Sequence, residues 1–113
     1  MKKLNVALVG LGFGGAFAEI YTEHPNVGEL TLYDTKPDLL RRFSDHLGGG
    51  VKLASDFDEI LNDPTIDAVH LVTPIPLHAD QTVAVLESGK HCACTVPMAT
   101  SDYVSLPNEF LVW

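Results

Sequence analysis

Basic residues are scarce in this chain. Seven Lys and Arg face 15 Asp and Glu, leaving a formal net charge of −8. A duplex binder needs clustered cations to neutralise phosphates, so nucleic acid is not an expected partner. Cysteine is nearly absent too. Cys92 and Cys94 stand one residue apart. On one face of a strand they are too constrained for an easy disulfide, and they are too few for a structural zinc site. They read as two buried thiols in a reduced compartment, and no metal site is expected. No apolar run approaches the length of a membrane span. Met1-Lys2-Lys3 followed by an apolar stretch superficially suggests a signal peptide, but the stretch is short and runs directly into glycines. It reads as a strand, and the protein as cytoplasmic with no membrane partner. What remains, 46% hydrophobic and 19% charged residues in a chain of 113, is the composition of one globular domain.

Strand-like runs and helix-like windows alternate along the chain. Residues 4–9 are a short apolar run ending at Gly10. From Gly14 the period lengthens: Phe17, Ile20, Tyr21 and His24 fall on one helical face, which Pro25 would end. Residues 30–33 form a second strand ending at Asp34. Pro37 then opens a helix carrying Leu39, Leu40, Phe43 and Leu47, stopped by Gly48-Gly49-Gly50. Residues 51–54 make a third strand. Ser55 and Asp58 have capping-box spacing ahead of a brief helix with Phe57, Ile60 and Leu61, and Asp63-Pro64 breaks it. Residues 66–72 are a fourth strand and 73–76 a rigid loop. A helix with Ala79, Val83 and Leu86 inward then runs to Gly89, and residues 91–95 form a fifth strand. This alternation predicts an α/β doubly wound parallel sheet of Rossmann type, strand order 3-2-1-4-5, with the switch point between strands 1 and 4.

The chemistry is carried by Gly10-Leu11-Gly12-Phe13-Gly14-Gly15, which contains G-x-G-x-x-G at 10, 12 and 15. A predicted strand precedes it, a predicted helix follows, and an acidic residue ends the next strand. Gly10 would permit the tight turn, Gly12 the approach of a pyrophosphate, and Gly15 close packing of helix on strand. The loop from Gly10 to Gly15, Phe13 and Gly14 included, is therefore the candidate phosphate cradle. Asp34 lies about twenty residues beyond it, where a carboxylate reaches the adenosine ribose hydroxyls. The stretch also matches G-x-G-x-G at 10, 12 and 14, a pattern of methyltransferases that use S-adenosylmethionine, and Asp34 would serve either ligand. Asp34 would repel a 2′-phosphate, favouring NAD, while Lys36, Arg41 and Arg42 leave NADP open.

Together with Thr73-Pro74-Ile75-Pro76-Leu77-His78 and the run from Gly89 to Pro97, these residues make the chain resemble the amino-terminal domain of the Gfo/Idh/MocA oxidoreductases. The resemblance covers roughly residues 3–100. It implies binding of NAD or NADP, with Thr73, Pro74, His78 and Thr95 beside the cofactor and His78 positioning it rather than reacting. Two departures stand out. Ile75 occupies a position where the family commonly has Asn, and Thr95-Val96-Pro97 replaces the family's E-K-P. Its lysine contacts substrate near the reacting carbon, and Val96 has no polar atom with which to do so.

Family members continue into a substrate domain, whereas residues 101–113 match no part of the family pattern. The domain is accordingly set at 1–100 with a tail from 101, and the chain reads as truncated, engineered or naturally shortened. It is expected to bind NAD(H) without completing a catalytic cycle alone, so no catalytic residue is assigned. In full-length relatives hydride would pass between the nicotinamide and a sugar or polyol carbon. The alternatives are a stand-alone dinucleotide sensor and a remnant that binds nothing tightly. Phe110-Leu111-Val112-Trp113 is too apolar to leave in water, so the tail is expected to add an edge strand or to pair with a second copy as a homodimer.

Overall fold

The computed structural model describes residues 3–12, 15–73 and 75–95, without the side chains of residues 75 and 76. The expectations for Phe13, Gly14, Pro74, Val96 and the tail lie outside the described residues.

Nine elements alternate in chain order: β1 (Leu4–Val9), α1 (Gly15–Glu23), β2 (Val27–Tyr33), α2 (Pro37–His46), β3 (Lys52–Leu53), α3 (Phe57–Asn62), β4 (Ala68–Leu71), α4 (Ile75–Glu87) and β5 (His91–Cys94). The five strands form one parallel sheet in the order β3-β2-β1-β4-β5. This is the expected topology, and it follows from right-handed crossovers that reverse direction after β3. Alternation along the strands splits the core into two layers. Ala7, Val9, Val69, Leu71, Cys92 and Cys94 pack against Ile60 of α3 and Val85 of α4. Val6, Leu8, Leu30, Leu32 and Val72 face Ala18 of α1 and Phe43 of α2. Burial on both faces is why the central strands are apolar at consecutive positions.

Several local expectations are corrected. In α1 Phe17 and Tyr21 pack on the core as expected, but Ala18 is the fully buried residue, Ile20 is 58% exposed and His24 lies beyond the helix end. In α4 the stripe of Ala79, Val83 and Leu86 faces out, and Val85 packs inward with Thr82, Gln81 and His78 half-buried beside it. Both stripes recur at helical spacing, so the period defines two candidate faces. The crossover back to β5 selects one. Residues 75 and 76 belong to α4 instead of a loop, because a proline in the first turn lacks only an N–H that has no helical partner. The cap of α3 is one residue later than expected. Asp56 accepts from the Glu59 amide at 2.8 Å, and the Glu59 carboxylate accepts from the Ser55 amide at 2.8 Å. β2 begins at Val27, β3 has two residues, and β4 and β5 stop short of their expected ends. Ladder pairing sets those limits, and apolarity does not.

Candidate functional site

The carboxyl ends of β1, β2 and β4 open on a crevice of about 310 Å³ at the switch point, lined by Gly10, Gly12, Asp34, Thr73, Leu77 and Gln81 among others. In open α/β sheets this is where two neighbouring crossovers diverge and leave room for a ligand.

The described glycines of the loop have different causes. Gly10 has φ +97°, and a Cβ there would stand 2.5 Å from the Val72 carbonyl oxygen, so the turn from β1 over β4 admits no side chain. Gly15 also has no room, but the obstruction is the ring of Phe43. The absence of a side chain there makes room for the Phe43 ring of α2 beside α1. Gly12 differs from both. A Cβ at Gly12 would meet nothing within 4 Å among the described residues, and φ lies outside the left-handed region. Gly12 nevertheless lines the crevice. Its missing side chain serves the space in front of it.

Asp34 is half-buried at the end of β2, and both carboxylate oxygens are held. One accepts the Leu11 amide at 2.8 Å, the other the Lys36 amide at 2.9 Å. The carboxylate thus ties the glycine loop to β2 and faces the crevice in a fixed orientation, with lone pairs to spare for further donors. Arg41 lines a neighbouring hollow of about 330 Å³ that shares Asp34 and Thr35 with the crevice. Its guanidinium is exposed and lies 3.8 Å from Asp38.

At the β4 end, the Thr73 hydroxyl donates to the Gln81 amide oxygen at 2.5 Å. His78 is held by the Thr73 backbone, and burial pushes its pKa below the usual histidine value. Its Nε2 is buried without a hydrogen-bond partner among the described residues. Thr95, following β5, places its amide on the Leu71 carbonyl at 3.0 Å and its hydroxyl 2.7 Å from Nε2 of His70. Sequence reasoning passed over His70, Tyr21 and Gln81. The one visible signal was a histidine inside an otherwise apolar strand. Cys92 and Cys94 share a face as expected, their sulfurs 3.8 Å apart. The Cys92 thiol, and after it the Thr82 hydroxyl 3.2 Å from Cys94 Sγ, pull the Cys94 thiol below its usual range. Among the described residues no group of three or more metal-ligating side chains occurs, and no helix is long and apolar enough to cross a membrane.

This strand, glycine turn, helix and acid-ended strand coincide with a family model described as oxidoreductase family, NAD-binding Rossmann fold (Gfo/Idh/MocA), which matches residues 4–105. The chain belongs to this oxidoreductase family. Among its relatives, levoglucosan dehydrogenase of Pseudarthrobacter phenanthrenivorans is 34% identical over 88% of the chain, which spans 27% of that protein. Inositol 2-dehydrogenase of Mycolicibacterium smegmatis is 32% identical over 88% of the chain and 29% of its own length. The crystal structure of GenD2 from gentamicin A biosynthesis, in complex with NAD, superposes with a TM-score of 0.74 at 28% identity. That match covers 83% of the chain and 27% of GenD2. The chain therefore spans about a quarter of the length of these relatives and corresponds to the nicotinamide-dinucleotide-binding domain of the family.

Proposed function

We propose that the crevice binds NAD(H) in preference to NADP(H). Gly12 and the start of α1 would take the pyrophosphate, with Phe13 and Gly14 completing the loop. Asp34 would take the adenosine ribose hydroxyls, and Thr73, Pro74, His78 and Thr95 would flank the nicotinamide end. The observation that carries this reading is Gly12, which lines the crevice and which neither a left-handed backbone nor any packing contact among the described residues requires to be glycine. One position after Leu77 of the crevice wall, the buried Nε2 of His78 has no hydrogen-bond partner among the described residues, a lack that a ligand would make good. Preference for NAD follows from Asp34. Two backbone amides hold its carboxylate in place, so it cannot swing aside for a 2′-phosphate.

Bound there, the nicotinamide supplies a hydride donor or acceptor. The residues of this domain hold and orient it, and a substrate-binding part would present a carbinol or carbonyl carbon to it. A sugar or polyol is the substrate class suggested by the names of the two dehydrogenase relatives. Val96 stands where the family's substrate-contacting lysine would be, so no described residue is assigned to proton transfer.

Calorimetric titration with NADH and NADPH tests the site. The unaltered chain should favour NADH, Gly12→Val should lose both ligands, and Asp34→Ala should narrow the NADH to NADPH ratio. A ratio is informative because general loosening of the loop would weaken both ligands alike. Equal affinity of the unaltered chain for both would refute the ribose assignment. Binding of S-adenosylmethionine but of neither nicotinamide would replace the cofactor.

A further inference from the structure

His70 is a costly residue for its position. It sits in β4, pairs in register with Leu8 of β1 and Ala93 of β5, and is 1% exposed. An aliphatic side chain would fill such a site without desolvating an imidazole. Both ring nitrogens are engaged: Nδ1 lies 2.7 Å from the Tyr21 hydroxyl of α1, and Nε2 lies 2.7 Å from the Thr95 hydroxyl. Phe17 meets the ring edge-on at a centroid distance of 4.8 Å, fixing its plane. Two side chains of α1 thus hold the His70 ring, and the ring alone reaches the hydroxyl that follows β5.

The direction of the chain of hydrogen bonds follows from acidity. A neutral imidazole has one N–H, so one of its two hydroxyl neighbours must donate to it and the other must accept from it. The phenol is much the more acidic hydroxyl, so Tyr21 donates to Nδ1. Nε2–H then donates to Thr95 Oγ1, and the Thr95 hydrogen is left to donate away from His70. Burial keeps the ring neutral by lowering its pKa to about 4, and burial raises that of Tyr21, so the phenol retains its proton. Each bond in such a chain polarises the next.

We propose that Tyr21 and His70 are positioning residues that fix the Thr95 hydroxyl as a donor toward the nicotinamide end of the bound dinucleotide. The proposal rests on the NAD(H) reading above and deepens it. Thr95 leaves β5 at the same sheet edge that carries Gly10, Asp34 and Thr73. Its amide sits on Leu71, two residues before Thr73. An acceptor oxygen on the nicotinamide carboxamide is the group such a donor fits. With Nε2–H on one of its lone pairs, the Thr95 oxygen must point its single O–H away from His70, where it can donate.

The experiment compares NAD+ with ADP-ribose, which lacks the nicotinamide, by calorimetry on the full chain. NAD+ should bind the unaltered chain more tightly. Thr95→Val and His70→Leu should each weaken NAD+ by about tenfold, the worth of one hydrogen bond, with ADP-ribose unchanged. His70→Gln, whose side-chain amide can donate from the Nε2 position, should restore the preference, which a purely structural role would not require. The tautomer is read independently in the unaltered protein by nitrogen-15 NMR, where His70 should carry its proton on Nε2. A proton on Nδ1, or a His70→Leu variant that keeps the full NAD+ preference, would overturn the relay while leaving the site reading intact. If the unaltered chain binds neither ligand, the NAD(H) reading and the relay fall together.

Discussion

Substituting Gly10 and Gly12 separates two demands made on one loop. Alanine at Gly10 must adopt φ near +97° and press on the Val72 carbonyl, so Gly10→Ala should lose about 1–3 kcal/mol in urea unfolding. Gly12→Ala should leave unfolding within about 0.5 kcal/mol of the parent, because its Cβ enters open space, yet it should weaken NADH. A large loss of stability from Gly12→Ala would show that the open space is not there. His70 gives a pH signature at the same scale. Its pKa is near 4 in the fold against 6.5 for a free histidine, so the unfolded chain binds the extra proton between those values. Stability should therefore rise as pH increases from 4 to 6.5, by at most about 1.4 kcal/mol per unit from this group. It should be level in this respect above 6.5. Carboxylates titrate in the same range, so the quantity to measure is the difference in unfolding free energy between the unaltered chain and His70→Gln. A difference independent of pH would mean that the ring is not held neutral.

Helices α3 and α4 show what an element takes from its own sequence and what its neighbours impose. The N-terminus of α3 is local: Asp56 accepts from the Glu59 amide and Glu59 reaches back to the Ser55 amide. Asp56→Ala should cost about 1 kcal/mol, and Ser55→Ala far less, because the Ser55 side chain makes no capping bond. Equal losses in thermal melts would return the cap to Ser55. α4 is the opposite case, since its face is chosen by the sheet. Val85→Ala should cost about 2 kcal/mol by removing buried methyl groups from the layer with Leu71 and Cys94. Leu86→Lys, on the exposed stripe, should leave the stability of the chain nearly unchanged. The sequence expectation of Val83 and Leu86 inward would have reversed these outcomes.

At the scale of the whole molecule, the crevice joins pieces from β1, β2, β4 and α4, so a ligand there should hold the sheet together. A dinucleotide at a hundred times its Kd stabilises the folded state by about 2.7 kcal/mol, which should appear as a rise in melting temperature with NADH and none in Gly12→Val. An equal rise in that variant would place the ligand elsewhere. The architecture was legible in the sequence because the chain alternates strand and helix without interruption, and the glycine turn after the first strand with an acid ending the second marks the Rossmann order among the right-handed windings. Gly10, Gly12 and Asp34 were legible because their spacing along a strand, turn and helix is a local property. Other features depended on parts of the chain far apart. Gly15 is glycine because of Phe43, His70 is tolerated because Tyr21 and Thr95 meet it, and α4 turns Val85 inward because β4 and β5 lie on that side. Periodicity, caps and glycine spacing depend on residues within a turn or two of each other, so the sequence itself determines them. The choice between two helix faces, and the partners of a buried polar ring, depend on which distant surfaces arrive there, and only the tertiary structure decides that.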